Sequence, residues 1–256
     1  MRALKRDGLL LALAAAGAGL DAWSFFGLGE VFVANMTGNT VLLGYSAVVG
    51  PHDRAWRAAI SLAAYVCGAL VGAVLARPVR RAAAREAGVS EPTPERGRKL
   101  LWPARANSIL ALESVLVSIA AVVFGLTNTA AGSGLALALI ALVAFSVGLQ
   151  SAVIVAMNIP GIVTTYITGT WTMLATGVAQ WLDGETREAR QTEWEGRLEL
   201  QGATLAAYLL SAAFSGLIFH LLGRAWLGAS PAILLLIVNF ATMRVEFSVS
   251  SHGSAG

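Results

Sequence analysis

Charged residues are scarce in this chain of 256 residues. Lys, Arg, Asp and Glu make up 13% of it, against roughly 25% in an average soluble domain, and hydrophobic residues make up 56%. Apolar runs of about 20 residues recur along the whole length, and each is long enough to cross a hydrocarbon core as a helix. The sequence therefore predicts a polytopic membrane protein whose first partner is the lipid bilayer.

Several kinds of chemistry lack the residues that they need. The single cysteine, Cys67, excludes an intramolecular disulfide and a thiol cluster for metal. The histidines at 52, 220 and 252 do not have metal-hydrolase spacing, and there is no Gly-Lys-Ser/Thr phosphate loop. The net charge of +3 comes from basic residues beside apolar segments, which is a topology signal. We expect no enzyme, no cofactor, no metal and no nucleic-acid partner.

Two stretches of the chain repeat the same order of residues. GLDAWSFFGLGEVFVANMTGNTVLLG begins at Gly19, and GLQSAVIVAMNIPGIVTTYITGTWTMLATG begins 129 positions later at Gly148. The Thr-Gly pairs that begin at Thr37 and Thr168 are 131 positions apart, and LAAY occurs at 62–65 and again at 205–208. This order predicts a duplication, with repeat A over 8–126 and repeat B over 135–243.

The positive-inside rule decides between two topologies for eight apolar segments. If all eight span the bilayer, the basic loop 77–105 lies opposite the basic N-terminus, against the rule. If 31–49 and 161–181 enter and turn back, each half has three crossings, the halves are inverted, and 15 of the 18 Lys and Arg residues face the cytoplasm with both termini. The eight segments are about 9–28, 31–49, 58–76, 106–126, 135–157, 161–181, 202–222 and 227–243.

We therefore expect an all-α membrane protein of two inverted repeats of three transmembrane helices, each half with a re-entrant or broken helix. Eight spanning helices are the alternative. Inverted repeats recur in secondary transporters and channels, and a broken helix survives at membrane depth only inside protein or along a cavity. Gly38 and Gly169 are expected to allow the breaks. The tail 248–256 is expected to be disordered.

The blocks that begin at Gly19 and Gly148 closely resemble the hallmark blocks of the YoaK-type family, bacterial inner-membrane proteins grouped as a domain of unknown function and sometimes labelled small permeases. The resemblance runs through nearly the full chain. It implies a multi-pass protein of the bacterial plasma membrane. The stretch AVIVAMNIP departs from the family pattern, because it lacks a basic residue that would favour an anion as substrate. The family pattern marks Asp21, Ser24, Asn35, Thr37, Gly38, Asn39, Gln150, Thr165, Thr168, Gly169 and Thr170.

Two acidic residues lie within apolar segments, where a carboxylate is costly and is by default a functional hypothesis. Asp21 sits late in the first segment, at the position that matches Gln150 in the other half. It either couples transport to protonation or braces the re-entrant segment as a buried capping group. Glu113 lies in the fourth segment and either forms a proton relay with Asp21 or pairs with Arg105 near the membrane surface.

The Thr, Asn and Gly blocks at 35–40 and 164–170 have two interpretations. Their neutral donors and acceptors suit the lining of a site for a small polar solute. The same small and hydroxyl residues also let membrane helices pack closely. Gly68 and Gly72 form a GxxxG match, which marks either packing within the fold or the face of a homodimer.

The predicted function is a secondary transporter or permease of a small, unidentified solute. In the predicted mechanism the two Thr-Gly elements meet near the midplane, and Asp21 couples solute movement to protonation. A passive channel and a membrane structural or regulatory protein without transport are the alternatives.

Overall fold

In the computed structural model, helices make up almost all of the chain that is described, which is residues 2–79, 81, 104–127, 129–157, 167–182 and 191–253. No strand occurs in these ranges. The helices are α1 (Arg2–Trp23), extended by a π-helical turn (Ser24–Gly29), α2 (Met36–Val48), α3 (His52–Leu75), α4 (Ala104–Leu126), α5 (Gly134–Ala156), α6 (Ile167–Leu182), α7 (Gln191–Leu222), a 3₁₀ turn (Arg224–Trp226) and α8 (Ala229–Gly253).

Six helices of the described chain are long and apolar enough to cross a membrane. Their outer faces carry exposed apolar side chains, such as Leu209 at 70% exposure and Leu210 at 67%. The prediction of a helical membrane protein is thus confirmed. The six stretches are Asp7–Gly29, His52–Leu75, Ala106–Leu126, Gly134–Ala156, Leu198–Leu222 and Arg224–Thr242.

Helix α2 is too short to cross a membrane as a regular α-helix, which disfavours the alternative of eight spanning helices. It has 13 residues, which at the α-helical rise makes about 20 Å, against a hydrocarbon core of about 30 Å. Helix α6 has 16 residues, and residues 161–166 before it lie outside the described ranges. Most of the basic loop 77–105 lies outside them as well.

A sharp turn after α1 sends the chain back along that helix. Gly29 and Glu30 both have positive φ, 137° and 60°, which is the left-handed region that glycine favours. The Glu30 N–H closes the turn on the Phe25 carbonyl at 3.0 Å. Loop 30–35 then leads into α2, which runs antiparallel to α3. We call residues 30–48 hairpin A.

The helices of the two halves pack in a pattern that is unchanged when the halves are exchanged. Helix α1 packs on α7 and α8, and α5 packs on α3 and α4. Helix α2 lies on α3, α6 lies on α7, and α4 meets α8. Each of these contacts has its counterpart when α1, α2, α3 and α4 are replaced by α5, α6, α7 and α8. The halves therefore interlock crosswise, with the first helix of each on the third helix of the other.

Burial along α2 and α6 follows the same order. At the offset of 131 positions, all ten residues from Thr37 to Ser46 have the burial class of their counterparts from Thr168 to Gly177. Asn39 and Thr170 are buried, as are Ser46 and Gly177, whereas Thr37 and Thr168 are exposed. Both short helices thus turn matched faces toward the protein, as a duplication predicts.

Glycines set the distance between α3 and α5. A Cβ atom on Gly68 would lie 2.0 Å from the Phe145 carbonyl oxygen, and one on Gly148 would lie 2.3 Å from the Tyr65 carbonyl oxygen. The GxxxG match therefore serves packing within the fold, since Gly72 also meets α5 at Leu149.

Small residues form the corresponding contact between α1 and α7. At the offset of 143 positions given by the LAAY repeat, Gly68 and Gly72 correspond to Ser211 and Ser215. The hydroxyls of both serines lie 3.5 Å from a Cβ built on Gly19. Ser211 also donates to the Ala15 carbonyl at 2.6 Å. Close helix approach is thus shared by both halves.

The C-terminus differs from the sequence expectation. Helix α8 continues to Gly253 and so includes most of the segment 248–256. Between Pro231 and Gly253 the sequence has no Pro or Gly, and these are the residues that interrupt helices most strongly.

The close crossing of α3 and α5 makes a prediction about stability. Gly148→Ala should lower the free energy of unfolding by about 1–3 kcal/mol, because the added methyl overlaps the Tyr65 carbonyl. Gly216→Ala is the matched control, since no atom lies within 4 Å of its Cβ position in α7. It should stabilise by about 0.5–1 kcal/mol. Equal effects of the two substitutions on thermal unfolding in detergent would contradict the crossing.

Candidate functional site

A buried carboxylate organises hairpin A. Asp21, in α1, is 5% exposed. Its Oδ1 atom accepts hydrogen bonds from three successive backbone N–H groups, those of Val33 at 2.9 Å, Ala34 at 2.7 Å and Asn35 at 3.2 Å. These N–H groups lack helical partners because loop 30–35 precedes α2. Asp21 therefore does what a capping anion does at the start of a helix.

The same carboxylate joins the two halves of the chain. The Tyr208 hydroxyl, on α7, donates to Asp21 Oδ2 at 2.9 Å. Tyr208 closes the LAAY match at 205–208, so its counterpart in repeat A is Tyr65 on α3. One oxygen of Asp21 thus holds the loop of its own half, and the other is held by the opposite half.

Asn39 clamps the backbone of Phe32. Its Oδ1 accepts from the Phe32 N–H at 2.9 Å, and its Nδ2 donates to the Phe32 carbonyl at 2.6 Å. The Ser61 hydroxyl, on α3, accepts from Asn39 Nδ2 at 3.0 Å and donates to the same carbonyl at 2.6 Å. Asn39 and Ser61 are both fully buried. An amide is required here, because only an amide offers a donor and an acceptor side by side.

Two further polar residues of hairpin A, and Ser24 in the π-helical turn before it, satisfy local backbone groups. Asn35 caps α2 by accepting from the Gly38 N–H at 3.1 Å. Thr40 donates to the Met36 carbonyl at 2.9 Å, and Ser24 donates to the Asp21 carbonyl at 3.1 Å. Together with the Asn39 clamp, these bonds favour the bracing interpretation over a solute lining for Asn39 and Thr40.

Gly38 has a different role from the expected one. It lies in the first turn of α2, and the break in the helical path is at 29–35 instead. A Cβ atom on Gly38 would lie 2.8 Å from the Phe32 ring. The glycine is therefore needed for the close approach of loop 30–35. Gly169 likewise lies within α6.

Repeat B has different side chains at the positions that correspond to Asp21 and Asn39. Gln150, at 1% exposure, takes the place of Asp21, and its Nε2 has no hydrogen-bond partner in the described chain. Thr170 is buried at the place of Asn39, and Thr168 is exposed at the place of Thr37. Thr165 lies outside the described residues, together with the rest of 158–166.

The two Thr-Gly elements pack on different helices. Helix α2 lies on α3 and α6 lies on α7, and no extensive contact joins α2 to α6 among the residues that the structure covers. The start of the second element, including Thr165, lies outside the described residues. The expected meeting of the two elements near the midplane therefore stays a prediction.

Glu113 stands apart from the Asp21 anchor. It lies in α4 with its side chain at 0% exposure, and neither carboxylate oxygen has a hydrogen-bond partner in the described chain. No hydrogen bond connects it to Asp21, whose own partners are described above. The relay between the two acids therefore lacks a direct contact in this conformation.

Sequence reasoning missed Tyr208 and Ser61. The LAAY repeat pointed to Tyr208, since a repeated aromatic with a hydroxyl in an apolar helix needs a partner. The offset of 143 positions that pairs Tyr65 with Tyr208 also pairs Ser61 with Thr204, and both hydroxyl residues are buried. Polar residues that recur at the same offset in two apolar helices could therefore have pointed to the site.

The fold and the site define a polytopic helical membrane protein whose halves are joined by a buried polar link. A family model described as a protein of unknown function (DUF1275) matches residues 9–240, and the chain belongs to this family. It is 29% identical over 171 residues to the UPF0700 transmembrane protein YoaK of Bacillus subtilis (strain 168), and the match spans 66% of each chain. No solved structure matches significantly. The resemblance to the YoaK-type family is thus confirmed.

The link between the halves is tested by a double-mutant cycle. Tyr208→Phe should cost about 1 kcal/mol of unfolding free energy, and Asp21→Asn about 1.5–3 kcal/mol, because a charged acceptor is lost. The double variant should cost less than the sum by at least about 0.5 kcal/mol. Tyr65→Phe is the control on α3 and should change little. Strict additivity in thermal unfolding would show that the two side chains do not interact.

The Asn39 clamp is tested with an isosteric change. Asn39→Asp keeps the acceptor for the Phe32 N–H but removes the donor and adds a buried charge. It should destabilise by at least about 2 kcal/mol. Thr40→Ala removes one exposed hydroxyl from the same helix and should stay within about 0.5 kcal/mol of wild type. The clamp is excluded if both substitutions shift the unfolding midpoint alike.

Proposed function

We propose that the chain is a secondary transporter, or permease, of a small polar solute, and not an enzyme. It consists of two inverted three-helix halves in the bacterial plasma membrane, each with a re-entrant hairpin, and both termini are cytoplasmic. The observation that carries this proposal is the Asp21–Tyr208 bond, a polar link at the junction of two similar halves within apolar helices. Transporters of this architecture bind solutes near the junction of their repeats.

The matched burial of α2 and α6 and the exchangeable packing pattern support the duplication. With six crossings, three in each half, the second half is inverted relative to the first. The turn at Gly29 and Glu30 supports re-entry of hairpin A, because loop 30–35 returns to the depth of Asp21 before α2 begins. Movement of one half against the other is the motion that such a junction permits.

The residues that the family pattern marks fall into two groups by the exposure of their side chains. Asp21, Asn39 and Thr170 are buried, and they hold the hairpins in shape. Thr37 and Thr168 are exposed at matched positions in the first turns of α2 and α6. We assign solute contact to these exposed hydroxyls, with the exposed amide of Asn35 beside the first, and assign the scaffold to the buried group.

A ligand screen on the purified protein tests this division. Small sugars, amino acids, monocarboxylates and alkali cations are tested for a rise in the unfolding midpoint, because a ligand that binds only the folded state stabilises it by mass action. A solute that stabilises wild type should fail with Thr37→Val and Thr168→Val, whose unliganded midpoints stay near that of wild type. Asp21→Asn should lower the unliganded midpoint.

Liposome flux distinguishes a transporter from the alternatives. For a solute found in the screen, uptake by a carrier saturates and is accelerated by the same solute inside the vesicles. A channel gives flux without that acceleration. If no solute binds and no flux is found while the unliganded midpoints respond as predicted, the protein is a membrane structural or regulatory element.

A further inference from the structure

Glu113 is a buried acid without a hydrogen-bonding environment. Its side chain is at 0% exposure, and both carboxylate oxygens lack partners in the described chain. The hydroxyl of its neighbour Ser114 is already used, since it donates to the Leu110 carbonyl at 2.8 Å and lies 3.2 Å from the Leu235 carbonyl on α8. Asp21, in contrast, accepts four hydrogen bonds.

No described side chain on the helices that pack on α4 brings a cation to Glu113, and the side chain of Arg105 on α4 itself lies outside the described residues. Helix α5 contains no charged residue, and α8 contains none between 229 and 242. Arg224, in the 3₁₀ turn, contacts the Gly27 carbonyl and stacks over the Phe124 ring. Phe124 lies eleven residues beyond Glu113 on α4, about 16 Å along the helix axis.

Helix α1 also approaches α4, through the edge-to-face contact of Trp23 with Phe124. Its acids are Asp7 and Asp21, and Asp21 is committed to loop 30–35 and Tyr208. The basic residues of α1, at positions 2, 5 and 6, lie at its first turns. The charged residues of α1 whose side chains the structure describes are thus both acids, and neither would compensate an ionised Glu113.

These surroundings determine whether the Glu113 carboxylate can bind a metal cation or only a proton. An ionised carboxylate buried without a partner is strongly unfavourable in an apolar interior. A metal cation needs several oxygen ligands, and no group of three His, Cys, Asp or Glu residues exists in the described chain. A proton needs only one carboxylate oxygen. The neutral acid is thus the form that fits the closed packing of α4.

We propose that Glu113 is the proton-carrying residue of this protein and that Asp21, which accepts four hydrogen bonds, is a structural anchor that does not carry this proton. Glu113 holds a proton while α4, α5 and α8 are closed around it. It exchanges that proton with water only when those helices separate. The coupling of this exchange to solute movement rests on the proposed transport function, whereas the proton on Glu113 does not.

Infrared spectroscopy of the full-length protein in lipid nanodiscs reads this proton directly. At neutral pH the wild type should show the C=O stretch of a protonated carboxyl group, and Glu113→Gln should lack it. Asp21→Asn is the matched control and should retain the band. Absence of the band from wild type, or its loss in Asp21→Asn, would overturn the proposal. Either result stands whether or not a solute is ever found.

Thermal unfolding gives a second readout. Glu113→Gln replaces a neutral acid by a neutral amide of the same shape, so its midpoint should equal that of wild type at acidic pH, where Glu113 is protonated in both the folded and the unfolded chain. As the pH rises to neutral and above, the wild-type midpoint should fall relative to that of the variant, because the unfolded chain releases the Glu113 proton while the folded protein keeps it. If Glu113→Gln does not fold, the carboxylate itself is required and the proposal is wrong.

Discussion

The rest of the structure depends on one constraint, the need to satisfy polar groups that are buried in an apolar protein. Loop 30–35 exposes backbone N–H groups that no helix can pair, and in a bilayer each unpaired group costs several kcal/mol. Asp21 supplies one oxygen to three of them, and Asn39 takes both backbone groups of Phe32. Loop 30–35 can be buried because these two side chains replace the missing helical hydrogen bonds.

The second constraint is close helix approach. Gly68 and Gly148 let the backbones of α3 and α5 meet almost directly, and Gly19 with Ser211 and Ser215 serves α1 and α7. Membrane helices gain little from the hydrophobic effect on associating, so packing and interhelical hydrogen bonds must hold them together. The Asp21–Tyr208 bond adds a directional contact to an interface that is otherwise made of small residues. The two halves are thus joined by a directional bond at a defined point.

Much of this was predictable from residue patterns. Apolar length predicted the six helices that are long enough to cross a membrane, and the repeats at Gly19, Gly148 and LAAY predicted the duplication that matched burial supports. The roles within hairpin A were not predictable, because an Asn in a polar block is equally suited to lining a site or clamping a loop. Only the position of Phe32 relative to Asn39 decides between these roles. The helices on which the Thr-Gly elements pack were not predictable either, because sequence order does not reveal crosswise packing.

Residue-resolved hydrogen–deuterium exchange tests the central claim most directly. If Asp21 anchors the hairpin, the amides of Val33, Ala34 and Asn35 in the wild-type protein exchange as slowly as amides within α1, although they belong to no helix. In Asp21→Ala they exchange rapidly, while amides at the α3–α5 crossing remain protected. Rapid exchange of these three amides in the wild type would contradict the account, because it would mean that the carboxylate does not hold the loop.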